Sequence, residues 1–121
     1  DYQGGIYMAE PWAGTHMIEV RGFIKAYLDA VDWIFGPGNL DHLPGLLMRH
    51  LPHMNEEAVA RAARALHSSG ALLQVGMPLN MSGLARVMEL RHKYGTLPAS
   101  LGRVEKYLDF SCYDQVMASR G

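Results

Sequence analysis

The chain has 121 residues, of which 49% are hydrophobic and 19% are charged, and its net charge at pH 7 is −1. This length predicts one domain with its own core, and the composition excludes a disordered tail. The single cysteine, Cys112, excludes a disulfide scaffold, and no run of about 18 apolar residues is present to cross a bilayer.

Residues 1–14 are predicted to form an extended N-terminal arm, because Gly4, Gly5 and Pro11 lie in a stretch without helical periodicity. Three aromatic side chains belong to this arm: Tyr2, Tyr7 and Trp12. Such an arm needs a surface to lie on, which would be either the core of the same chain or another protein.

The first helix is predicted over 17–35, where apolar residues recur at spacings of three and four. Its apolar stripe comprises Val20, Ile24, Tyr27, Val31 and Ile34, widened by Phe23, Leu28 and Phe35. Thr15 or His16 can cap its start, and Gly36-Pro37-Gly38 should end it.

A short second helix is predicted within 39–51, with a stripe of leucines at 40, 43, 47 and 51. Pro44-Gly45 interrupts this stretch, so the regular part could be confined to 44–51, with Pro44 at the first helical position. Whether the segment is one element or two stays open at this stage.

The third helix should begin at Asn55, whose side chain can cap it, and should end near Gly76 and Pro78. Its inward face is predicted to consist of Val59, Ala62, Ala63, Leu66, Gly70 and Leu73. Small residues on that face would permit close approach of a neighbouring helix.

Two further helices are predicted in the last third of the chain. The fourth covers about 82–94, capped by Asn80 or Ser82, and the fifth covers about 98–110. The C-terminal tail, 111–121, could add one turn around 113–118. These elements predict an all-α fold, an irregular bundle of four to five helices over 15–110 with an extended N-terminal arm.

The sequence contains no recognisable catalytic or cofactor motif. It lacks a phosphate-binding GxxxxGK loop and a GxSxG nucleophile turn, and Cys112 is interpreted as a packing residue. His50 and His53 are separated by Pro52 and lack a cysteine or HExxH partner, so no metal site is predicted. No cofactor is predicted either, although a single axial histidine on a haem or pigment would leave no motif.

The charges are distributed unevenly along the chain. Residues 1–47 contain six acids and two bases, whereas residues 48–107 contain eight bases and four acids. Basic side chains that could gather on one surface are Arg86, Arg91, Lys93, Arg103 and Lys106. Because the pI is about 6.6, a surface that meets an acidic protein or lipid headgroups is favoured over nucleic-acid binding.

The connection between the third and fourth helices is apolar, with Met77, Leu79 and Met81 close together. Methionine is adaptable and is common on permissive binding surfaces, but it also fills gaps in cores. Both interpretations fit this segment equally well.

Together these features favour a non-catalytic accessory subunit of a larger multi-protein assembly, such as an organellar photosynthetic or respiratory complex. The expected partner-binding residues are Tyr2, Tyr7, Trp12, Met77, Leu79, Met81, Arg86, Arg91 and Lys93. The alternative is a stand-alone helical domain that binds a peptide, a small apolar ligand or nucleic acid. Because the sequence begins with Asp1, a removed organellar presequence is one interpretation, and a start further upstream is the other.

Overall fold

The computed structural model describes residues 6–68, 73–95 and 103–121, and the regular structure in these ranges is all helical, which confirms the predicted all-α bundle. The elements are α1 (Glu10–Thr15), α2 (Met17–Phe35), α3 (Asn39–His50), α4 (Glu56–His67), α5 (Met81–Tyr94), a 3₁₀ helix (Val104–Tyr107) and α6 (Ser111–Arg120). They are divided between two compact units: the first unit is Asp1–Gly22 with Leu79–Gly121, and the second unit is Phe23–Pro78.

The turn after α2 has the sharp geometry predicted for Gly36-Pro37-Gly38. Gly38 has a φ of 79°, a left-handed conformation that favours glycine. The Asn39 side-chain amide donates to the Trp33 carbonyl at 2.7 Å, and a Cβ on Gly36 would lie 2.6 Å from that amide nitrogen. The turn therefore ends α2 at Phe35 and starts α3 at Asn39.

Helix α3 is one continuous helix with Pro44 in its interior, which resolves the question left open by the sequence. Pro44 cannot donate a backbone hydrogen bond to Leu40, and such an interior proline weakens a helix. Packing outweighs this cost, because α3 lies against α4 and Leu43, next to the proline, is buried.

Helix α4 begins as predicted, because the Asn55 side chain accepts a hydrogen bond from the Ala58 amide at 2.8 Å. Val59 and Ala63 are buried, as their predicted inward position requires. The predicted end near Gly76 is wrong, since α4 ends at His67 and Leu73 is not helical. Serine and glycine after His67 have low helix propensity; Gly70 itself lies outside the described residues.

In the first unit, α5 confirms the predicted fourth helix. The Asn80 side chain caps it, accepting from the Gly83 amide at 2.8 Å and from the Ser82 hydroxyl at 2.9 Å. The beginning of α2 is linked to α6 by a hydrogen bond from Arg21 Nη1 to Gln115 Oε1 of 2.7 Å.

The chain termini contain more helix than predicted. Residues 10–14 belong to α1 rather than to an extended arm, and Thr15 Oγ1 donates back to the Pro11 and Trp12 carbonyls, which satisfies the end of this short helix. Residues 6–9 are without regular structure.

Near the C-terminus, the predicted helix over 98–110 is wrong for the described residues 103–110, which contain only the short 3₁₀ helix. Instead of one turn, the tail forms the ten-residue helix α6. Asp109 explains its start, because its carboxylate accepts the Ser111 amide at 2.8 Å. Hydrogen bonds from the side chain and backbone of Ser111 hold the pKa of Asp109 below its ordinary value.

Candidate functional site

The aromatic residues of the predicted arm have different environments. Tyr7 is 81% exposed, while Trp12 stacks on His16 with ring centroids 4.4 Å apart. His16 Nδ1 lies 2.9 Å from both the Trp12 carbonyl and Thr15 Oγ1, so the stack is fixed at the junction of α1 and α2. Tyr2 lies outside the described residues. Between Tyr7 and Trp12, Tyr7 is the more accessible to a partner.

The apolar connection before α5 is partly covered. Met77 and Leu79 are half-buried, and Met81, in the first turn of α5, is exposed. Met77 has a φ of 45° and follows Gly76, whose φ is 77°. A left-handed conformation costs a non-glycine residue about 1–2 kcal/mol, so this turn contains backbone strain.

The basic residues expected to act together on α5 occupy two different faces. Arg86 and Lys93 are seven residues apart and share one face, whereas Arg91 is about 140° around the helix from Arg86. Arg91 lies on the side of the half-buried residues Leu84 and Val87. The structure therefore brings Arg86 and Lys93 together and separates Arg91 from them.

An apolar surface that the sequence interpretation missed is on α2. We define the α2 apolar face as the exposed residues Phe23, Ala26, Tyr27, Ala30 and Trp33. Their spacings of three and four place them within an arc of about 120°. Within it, the Phe23 and Tyr27 rings stack with centroids 6.1 Å apart.

The apolar stripe predicted for this helix includes Phe23 and Tyr27, but neither side chain is buried. Their side chains are 49% and 41% exposed, while Leu28 and Val31 on the neighbouring side of the helix are 2% exposed. The signal was present in the sequence, because Ala26, Ala30 and Trp33 extend the apolar arc beyond the width that one core contact needs.

Charged residues occupy the side of α2 next to the apolar face. Lys25 Nζ lies 2.6 Å from Asp29 Oδ2, and both side chains are substantially exposed. Such an exposed pair contributes little to stability, but it keeps that side of the helix in water. The α2 apolar face is therefore bounded by solvated charges on one side and by buried residues on the other.

Metal-ligating and thiol side chains are the remaining candidates for chemistry among the described residues. Among them, no group of three or more His, Cys, Asp or Glu side chains is placed to hold a metal ion. Cys112 is half-buried and unpaired by a disulfide, and the His67 ring lies 5.8 Å from the Phe35 ring, in a packing contact.

Comparison with known proteins assigns no family to this chain: no protein-family model, curated protein or solved structure matches it. In the described part of the chain, the helices are too short or too polar to cross a membrane. The surfaces themselves are thus the basis for a functional interpretation.

Proposed function

We propose that the protein is a non-catalytic accessory subunit of a larger multi-protein assembly. The observation that carries this proposal is the α2 apolar face, which presents three exposed aromatic rings on one helix. Tryptophan and tyrosine are enriched among the few residues that dominate the binding energy of protein interfaces, and a contiguous exposed apolar surface is a recognised mark of an interaction site.

The balance between buried and exposed apolar residues supports the same proposal. Among the described residues, seven hydrophobic side chains are buried, and seventeen large hydrophobic side chains are exposed. Single exposed apolar residues are normal on a soluble protein, but the clustering of Phe23, Tyr27 and Trp33 on one helix face is not scattered exposure. A partner protein covering this face would remove its apolar surface from water.

The partner expected here is a protein with an apolar helical surface. Alanines at 26 and 30 lie between the aromatic rings, and small residues at such positions allow a second helix to approach closely. Organellar energy-converting complexes, photosynthetic or respiratory, are the class of assembly that we propose to examine first.

The first test measures mass in solution, for the purified chain alone and for the material with which it is isolated. A subunit should co-migrate with a large complex and should self-associate when separated from it. A stable, soluble monomer that belongs to no complex would refute the proposal and favour a stand-alone binding domain.

A second test uses variants of the α2 apolar face. Phe23→Ser with Tyr27→Ser should weaken association with the complex by more than about tenfold, because interface aromatics frequently contribute about 2 kcal/mol or more. The matched control is Ile18→Ser with Leu46→Ser, two exposed apolar residues outside the face. Both proteins must retain wild-type helix content by circular dichroism, and equal loss in the control would contradict the assignment of this face.

A further inference from the structure

The outward face of α5 combines positive charge with apolar surface. It consists of Arg86, Leu90, Lys93 and Tyr94, whose spacings place them within an arc of about 100°. Leu90 is 41% exposed and Tyr94 is 72% exposed, and α5 has no buried residue. This face is therefore accessible along the whole second half of the helix.

The neighbouring 3₁₀ helix repeats the same combination. It contacts α5 within the first unit. Lys106 Nζ lies 5.7 Å from the Tyr107 ring centroid, and Lys93 Nζ lies 5.0 Å from that of Tyr94. Tyr107 is 53% exposed. Two lysine–tyrosine pairs are thus presented by adjacent segments. We define the α5 basic surface as these two pairs together with Arg86, Leu90 and Arg103.

The positive charge of this surface is only partly compensated. Arg86 pairs with Glu89 at 2.6 Å, and Arg103 with Glu105 at 3.4 Å. Within the described ranges, no carboxylate forms an ion pair with Lys93 or Lys106. These two ammonium groups, each beside a tyrosine ring, are free to attract an anionic partner.

The composition of the surface favours an acidic protein segment over a nucleic acid. Glu89 and Glu105 lie among the basic residues, and they would repel a strand that carries a phosphate at every nucleotide. A protein segment can avoid this repulsion by placing apolar side chains opposite the glutamates. The same apolar side chains would contact Leu90, an aliphatic residue that offers a nucleic acid neither a charge nor an aromatic ring for base stacking.

We propose that the α5 basic surface binds an acidic amphipathic helical segment of a partner protein. The face of that segment in contact would carry both Asp or Glu residues and apolar residues, at spacings of three and four. The carboxylates would face Lys93 and Lys106, and the apolar side chains would contact Leu90 and Tyr94. The inference rests on the proposed function in one respect, that the natural partner is a protein of the assembly.

The test uses the full chain immobilised at low density on a sensor surface, so that copies of the chain cannot associate with each other. The probe is a synthetic peptide of about 18 residues with Glu and Leu at helical spacing, a helix-in-groove type of ligand. The comparison ligands are the same peptide with Gln for Glu, an oligothymidylate of similar charge, and phosphatidylserine vesicles.

We expect the acidic peptide to bind best and its affinity to fall as salt is raised. Lys93→Glu with Lys106→Glu should weaken binding by about tenfold or more, since two attractions become repulsions. Arg49→Glu with Arg64→Glu is the matched control, because both residues are exposed and, like the two lysines, lie in the last turns of helices. The control should bind within about twofold of wild type.

The neutral variant Lys93→Gln with Lys106→Gln covers the case in which charge reversal disturbs folding, and it should show a smaller loss in the same direction. Equal weakening by the control, equal binding of the Gln peptide, or tighter binding of oligothymidylate or vesicles would each overturn the proposal. Phe23→Ser with Tyr27→Ser should leave peptide binding unchanged. A chain that binds the peptide but belongs to no complex would therefore refute only the subunit function.

Discussion

The two units of the molecule are stabilised in different ways. Of the seven buried hydrophobic side chains described, five belong to the second unit, where α3 packs on α4. The other two, Val20 and Val116, belong to the first unit. The first unit also contains polar links such as Arg21–Gln115. The second unit therefore combines most of the buried core with the α2 apolar face, whereas the first unit combines the exposed face of α5 with only two of the buried side chains described.

The largest expected effect tests the core of the second unit. Leu43 is 2% exposed, so Leu43→Ala should lower the free energy of unfolding by about 2–5 kcal/mol. Val116→Ala in the first unit removes less apolar surface and should cost about 1–3 kcal/mol. The unfolding of each unit in urea can be followed by tryptophan fluorescence, because Trp12 lies in the first unit and Trp33 in the second.

In these experiments, Trp12→Phe isolates the signal of the second unit, and Trp33→Phe isolates that of the first. A loss for Val116→Ala that equals or exceeds the loss for Leu43→Ala would contradict the comparison. Coincident transitions in both backgrounds would show that the units unfold together.

The next effect concerns the proline inside α3. Pro44→Ala restores a backbone donor within a helix, and we expect it to raise the stability of the second unit by about 1–3 kcal/mol. The increase should be visible in the Trp33 transition. An unchanged midpoint would indicate that the helix starts at Pro44, where a proline is tolerated.

Matched helix caps give a smaller effect in each unit. Asn55 caps α4 in the second unit and Asn80 caps α5 in the first, each with one amide hydrogen bond of 2.8 Å. Replacing either with Ala should cost about 1 kcal/mol. Urea unfolding followed by fluorescence measures both transitions. If the units are independent, Asn55→Ala will shift only the Trp33 transition, and Asn80→Ala will shift only the Trp12 transition.

The smallest effect is a pH dependence at the start of α6. Because the pKa of Asp109 is lower in the folded state, its carboxylate stabilises the first unit above the ordinary pKa of aspartate, and this contribution is lost as the pH falls through the folded pKa. Asp109→Asn should therefore reduce the acid sensitivity of the Trp12 transition below about pH 4. An identical pH profile in the variant would contradict the role of this carboxylate.

The sequence was sufficient to predict the helices whose ends have strong local signals. Gly36-Pro37-Gly38 and the Asn55 and Asn80 caps act through neighbouring backbone atoms, so their effects can be derived from local chemistry. Helix α6 was underestimated because its residues lack an apolar stripe, and only Val116 is buried. Its start depends on a hydrogen bond that the Asp109 carboxylate accepts from the Ser111 amide, which periodicity does not detect.

The candidate surfaces were only partly predictable. The basic residues of α5 were recognised, but they were grouped on one surface although a rotation of about 100° per residue already separates Arg91 from Arg86 and Lys93. The α2 apolar face was missed because periodicity identifies an apolar arc without showing how much of it the rest of the chain covers. Phe23 and Leu28 look equivalent in the sequence, and only the packing separates them.

The division of the chain has a consequence for biosynthesis. The second unit is a continuous segment inserted between the two parts of the first, which contain the N-terminal and C-terminal residues. During translation, the nascent chain can therefore complete the inserted segment while Arg21 still lacks Gln115, its hydrogen-bond acceptor near the C-terminus. The first unit can close only after α6 has been synthesised, so the N-terminal helices acquire their final contacts later than the inserted segment does.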